Sequence, residues 1–332
     1  MERGRSDKQE LDGLPQRKLN FVSPLWAAVL LVALSPVVAG AFPIFGYVHN
    51  AWLQVGMAGV AAWALWPSRQ APPTLFLTPA SIGLFAIAGA AYFSTLWATN
   101  TFLAAMAALH WQTVLICFLV VHSQLKEERE ARILLGVLAL SLLFVAGLGV
   151  IQALFAVDWV PQISRRPAST FGNANMAAHF LVLLWPVALG LVLASTSWRG
   201  RGFFGFVLLV SLGYLLQTQT RAALLASLVM VLAWLWAAVY FRKTREGKVL
   251  AKRLLGAGFA LVLAFSLAAL SIEGFGERLY DSIGKRIELI ELSDGIAGMA
   301  KGRAPMFVNT ASMVAASMPF GVGGGNWPVH YP

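Results

Sequence analysis

Ala131-Arg-Ile-Leu-Leu-Gly-Val-Leu-Ala-Leu-Ser-Leu-Leu-Phe-Val-Ala-Gly-Leu-Gly-Val-Ile-Gln-Ala-Leu-Phe-Ala-Val157 is apolar on every face. A strand of an outer-membrane barrel alternates apolar and polar with period two, and this stretch does not. It is also too long and too uniformly apolar for an ordinary water-facing helix, which keeps one polar face. A bilayer core about 30 Å thick needs about 20 mostly apolar residues in one helix. Helix is the spanning element that satisfies its own backbone there.

Similar runs recur along the chain, and nine spans are expected at about 22–42, 50–66, 79–98, 102–122, 132–157, 174–195, 203–219, 222–241 and 254–272. The composition agrees: 58% hydrophobic and 12% charged with mean hydropathy +0.70, against ~45–50% and ~25% in soluble domains. The fold class is therefore an all-α polytopic membrane protein. Residues 1–20 read as a polar cytoplasmic tail, 21–272 as the transmembrane bundle, and 273–332 as the start of an incomplete loop beyond the membrane. The tail is no cleavable signal, because the apolar run after it is too long and has no small-residue cleavage site.

Charge sets the expected orientation. With the amino terminus inside, seventeen Lys and Arg residues fall in the tail and cytoplasmic loops, and before residue 273 only Arg165, Arg166 and Arg221 fall on the other side. That asymmetry is the positive-inside pattern, and it places the chain in a bacterial-type inner membrane with a periplasmic working face. It also accounts for the net charge of +10 without nucleic acid, which needs cations clustered on one surface. Cys117 is the single cysteine, so no intrachain disulfide is available. After Ile272, Phe275, Leu279, Ile283, Ile287 and Ile290 recur at near-helical spacing and suggest an amphipathic helix, and a second helical piece is expected over about Ala304 to Ser317.

Three segments carry candidate chemistry. In Arg165-Arg-Pro-Ala-Ser-Thr-Phe-Gly-Asn-Ala-Asn175 the proline, glycine and asparagines predict a turn into the sixth span, with Ser169 and Thr170 able to cap. Two guanidiniums then stand beside a helix amino terminus, and both features attract anions. The competing reading is that these arginines snorkel to lipid headgroups. The second segment, Gln217-Thr-Gln-Thr-Arg221, is a polar break between apolar runs, expected to line a cavity open to the outer face. An arginine there is costly without a partner, and the only carboxylates between residues 21 and 272 are Glu127, Glu128, Glu130, Asp158 and Glu246. An anionic ligand, or simple snorkelling, would answer for Arg221. The same poverty of carboxylates argues against an ion-coupled transporter and against a Mg²⁺ or Mn²⁺ site, so neither metal nor cofactor is expected. The third segment joins Lys301-Gly-Arg303 to Pro319-Phe-Gly-Val-Gly-Gly-Gly-Asn326 and His330, where the glycine run suits either a clamp on a substrate or a hinge.

Together with Leu96-Trp-Ala-Thr-Asn-Thr101, these segments in this order resemble the O-antigen ligase and O-antigen polymerase superfamily, which includes protein O-oligosaccharyltransferases. The resemblance runs from about residue 94 to the end. It implies metal-independent periplasmic transfer of a glycan from an undecaprenyl-diphosphate donor to an acceptor hydroxyl on lipid A core, on another glycan or on a protein. It further implies Arg221, Arg166 and Arg165 as ligands of the donor diphosphate, with Arg303, Asn173 and Asn175 in support. The histidine that activates the acceptor in such enzymes lies downstream of Pro332, so the catalytic base is unknown in this chain. The chain as given is expected to bind the donor without completing transfer. A flippase or transporter of anionic glycolipids is the alternative from another class; it predicts cations deep in several spans.

Overall fold

The computed structural model describes residues 22–41, 46–65, 78–155, 166–241 and 304–330, with short helical pieces between 248 and 256. Every described element is a helix. The elements are α1 (Pro24–Ala41), α2 (Gly46–Ala64), α3 (Pro79–Phe93), α4 (Thr101–Gln124), α5 (Glu128–Phe155), α6 (Ala174–Ala194), α7 (Trp198–Thr218), α8 (Arg221–Phe241), α9 (Ala304–Ala316) and the single turn α10 (Trp327–His330). Short 3₁₀ turns at Ser94–Leu96 and Ser169–Phe171 follow α3 and precede α6. The tail, the repeat from Phe275 to Ile290 and nearly all of the expected ninth span lie outside the described residues, as do the proposed domain limits at 20 and 272–273.

Five helical stretches, Pro79–Leu96, Thr101–Gln124, Glu128–Phe155, Ala174–Ala194 and Trp198–Thr218, are long and apolar enough to cross a membrane. Shorter apolar helices cover Pro24–Gly40 and Ala222–Trp234. At 28 residues, α5 is about 42 Å long at 1.5 Å per residue, so it overruns the hydrocarbon. Its charged first turn is where the excess falls, and there Arg132 bonds Glu128 one turn away at 2.6 Å, with both side chains more than half exposed.

The helices begin where local chemistry satisfies their free N–H groups. Thr78 and Ser81 form a reciprocal capping box ahead of α3, with Pro79 in the first turn. The Asn100 side chain accepts from Leu103 N at the head of α4, and that of Ser197 accepts from Gly200 N at the head of α7.

Lipid gives little hydrophobic drive between helices, so close packing of small residues holds such bundles together. Ala139, Ala146, Ala177, Ala178 and Ala188 are accordingly shut inside α5, α6 and α7 beside Leu142, Leu181, Trp185 and Val207. Trp185 Nε1 donates to Ser227 Oγ at 3.2 Å and ties α6 to α8. Ser141 Oγ donates to the Ala33 carbonyl at 2.9 Å and ties α5 to α1.

The start of α1 packs with the ends of α2 and α4 and the start of α5. The opposite end of the bundle therefore gathers the ends of α1, α3, α5 and α7 and the starts of α4, α6 and α8. The described parts of all three chemistry-bearing segments return to that end.

Candidate functional site

The loop before α6 is built from inside the bundle. Gln152, one turn from the end of α5 and 5% exposed, clasps the backbone of Ser169: Ser169 N donates to Oε1 at 2.7 Å, and Nε2 donates to the Ser169 carbonyl at 3.2 Å. Ser169 Oγ donates to the Val145 carbonyl at 2.6 Å. These bonds hold Ser169 at φ 52, a left-handed conformation that costs roughly 1–2 kcal/mol for a residue with a Cβ. Tyr214 in α7 donates from its hydroxyl to the Pro167 carbonyl at 3.1 Å. Thr170 Oγ1 is buried and has no hydrogen-bond partner among the described residues. Gly172, at φ 65, then turns the chain into α6. The cap of α6 is Asn173, whose side chain accepts from Asn175 N at 2.9 Å. Ser169 and Thr170, expected as caps, are instead buried in the 3₁₀ turn, because Gln152 and Val145 take up the groups of Ser169.

The break between α7 and α8 is shorter than its polar residues suggest. α7 runs to Thr218, and Gln219, at φ 52, closes it in the left-handed region. Arg221 already opens α8. Thr218 and Thr220 are buried, so this segment packs against the Arg166 loop where a cavity lining was expected. Arg166 Nη1 donates to the Thr218 carbonyl at 3.3 Å. Thr220 Oγ1 donates to Asn175 Oδ1 at 3.1 Å.

Arg166, Asn173 and Asn175 are thereby brought to the junction where α6 and α8 both begin. Each helix start contributes first-turn N–H groups that have no partner within the helix, of which Asn173 caps that of Asn175, and the positive end of a dipole, equivalent to about half an elementary charge. The end of α7 meets them there, and the Arg166 guanidinium donates to one of its last carbonyls. The side chain of Arg221, and all of Arg165 and Arg303, lie outside the described residues.

The glycine-rich segment is clamped, and its seat is protein. Asn326, fully buried, accepts from Asn100 N at 2.7 Å and donates to the Asn100 carbonyl at 3.1 Å. Gly324 N donates to Ser94 Oγ at 2.8 Å, and Phe320 packs on Trp97 with ring centres 5.4 Å apart. A Cβ on Gly323 would stand 2.7 Å from that of Ala98, and one on Gly325, at φ 68, would stand 2.7 Å from the Leu103 carbonyl oxygen. Close approach therefore explains the glycines, and a free hinge does not. His330 Nε2 lies 2.9 Å from Thr99 Oγ1. Asn326→Ala should release this loop from the α3–α4 turn, with faster amide exchange at Asn100 and Gly324. Exposed Asn100 can regain water, so the expected cost is only about 1 kcal/mol.

Gln152 and Tyr214 escaped the sequence reading. Their signal was present: each is a hydrogen-bonding side chain inside a mostly apolar stretch, and buried polar groups of that kind have partners.

Among the described residues the fold is all helical, with five helices long and apolar enough to cross a membrane, as in an all-α membrane protein. No protein-family model, no curated protein and no solved structure matches this chain.

Proposed function

We propose that the chain is a nine-span protein of a bacterial inner membrane, amino terminus inside, that holds an undecaprenyl-diphosphate-linked glycan on its periplasmic side for transfer to an acceptor hydroxyl. The observation that carries this reading is that Arg166 bonds the end of α7 two residues before Thr220, which bonds Asn175 at the start of α6 and leads into α8, opened by Arg221. In the reaction the acceptor oxygen attacks the anomeric carbon, the bond from that carbon to the diphosphate oxygen breaks, and the acceptor proton passes to a base. Charge grows on the departing diphosphate, and preorganised cations and helix N–H groups stabilise that charge without needing to reorient. In this reading Arg165 is a further ligand of the diphosphate, and Arg303, Asn173 and Asn175 support the site. Acceptors of the three kinds named above, lipid A core, a growing glycan or a protein, are all compatible with this chemistry.

The test is donor binding by the purified chain in lipid nanodiscs, with undecaprenyl diphosphate as the probe and undecaprenol as the neutral control. Arg166→Ala and Arg221→Ala should each weaken diphosphate binding by roughly tenfold to a hundredfold, the worth of about 1.5–3 kcal/mol for a hydrogen bond to a charged group. Undecaprenol binding should stay unchanged. Equal binding of the diphosphate by wild type and both variants would remove the assignment.

A further inference from the structure

The two faces of α9 differ in a way that the donor site does not explain. Asn309, Ser312, Met313 and Ala316 turn towards a hollow of about 370 Å³ that His330 and Ser317 complete. On the opposite face Phe307, Ala311 and Val314 recur at helical spacing, and Met318 prolongs the line into the following turn. Phe307 is 67% exposed, Val314 52%, Met318 72% and Phe320 72%. A line of large apolar side chains is a poor surface to leave in water.

The neighbourhood of this stripe says what covers it. Phe320 packs on Trp97, the residue that ends the α3 turn, so the stripe continues into the tip of a membrane-length helix. The side chains around that tip, Phe93, Leu96 and Phe102, are all more than two-thirds exposed. They belong to stretches apolar enough to stand in lipid. Trp97 and Trp327 beside them suit the headgroup level, where amphipathic rings collect.

We infer that α9 and the turn after it lie along the membrane surface, with Phe307, Ala311, Val314, Met318 and Phe320 sunk into the leaflet in which α3 ends. The Asn309 and Ser312 face, with its hollow, is held towards water. Charge plays no part in this contact, since α9 carries no Lys, Arg, Asp or Glu. The occupant is therefore the acyl region of the bilayer and not a specific anionic headgroup. The glycine clamp on Ser94 and Asn100 fixes the depth, because Gly323 and Gly325 let the loop touch the α3–α4 turn.

Nitroxide labels placed singly at positions 307, 311, 312 and 314 in a Cys117→Ser background would test this. The protein is reconstituted in vesicles of phosphatidylethanolamine and phosphatidylglycerol, and collision with dissolved oxygen is compared with collision with a water-soluble nickel chelate. Oxygen should win at 307, 311 and 314, and the order should reverse at 312. Chelate access at all four positions would overturn the proposal by placing α9 in water. Exclusion of both reagents from 307 and 314 would overturn it too, because another part of the chain or a second copy then covers the stripe. These positions are exposed on the helix, so the labels leave packing intact, and the outcome is independent of whether diphosphate binds.

Discussion

Gly149→Val should lower stability by about 3 kcal/mol or more, the upper range for forcing extra carbons into a packed core. A Cβ at this position in α5 would overlap Cε2 and Cζ of the Tyr214 ring. No real contact is that close, so either the ring or the helix must move. The ring is poorly placed to yield: Tyr214 is 0% exposed, and its hydroxyl is bonded to the Pro167 carbonyl. Displacing it parts α5 from α7 and releases the loop that carries Arg166. Gly147→Ala is the matching control, since the space at its Cβ is open. It should be neutral or gain up to about 1 kcal/mol from helix propensity. Thermal unfolding in detergent would distinguish the two. A Gly149→Val protein that melts with wild type would mean that the contact of α5 with Tyr214 is not as close as described.

The second large effect is expected at Gln152. Leucine there keeps most of the volume but strips Ser169 of a partner for its N–H and a partner for its carbonyl. Each buried group left unpaired costs about 1–3 kcal/mol, so the two together cost roughly 2–6 kcal/mol by the same measure. Ser169, already in a left-handed conformation, would lose what holds it there, and residues 166–173 should repack. The helices themselves need not melt. The expected readout is a sharp rise in amide exchange confined to residues 166–173, with little change inside α5 and α6. If Arg166 is a donor ligand, diphosphate binding should fall in the same variant although no charge has been removed. Unchanged protection of Ser169 would show that Gln152 is dispensable to the loop. Gln152→Glu should rescue only while its carboxyl is protonated, because the neutral acid can accept from Ser169 N and donate to the carbonyl whereas the carboxylate can only accept.

Both predictions concern residues that the reading of the chain passed over, and the reason is general. Helices cover the eight expected spans that fall on the described residues, five of them long and apolar enough to cross a membrane, and they were legible because an apolar run is a local property, counted without knowing any neighbour. The Arg166 segment and the Gln217 to Arg221 break were legible for the converse reason: polar residues between apolar runs stand out locally. Within them, detail failed where a distant side chain intervened. Ser169 is not a cap because Gln152 reaches it from α5, and the second break shrank to two residues because α7 carries helix to Thr218 before Gln219 turns it.

The sequence by itself determined an all-α membrane bundle, since solvent preference is written into each run of side chains. It also determined which polar segments interrupt that bundle. The tertiary structure alone decided that the Arg166 loop meets the end of α7, that Gln152 and Tyr214 hold it, and that the glycines of residues 323–325 exist to touch Ala98, Ser94 and Leu103. Those are relations between residues tens to hundreds of positions apart. They depend on how helices of nearly uniform apolarity choose their neighbours, and that choice rests on small-residue packing and single hydrogen bonds that no local pattern encodes.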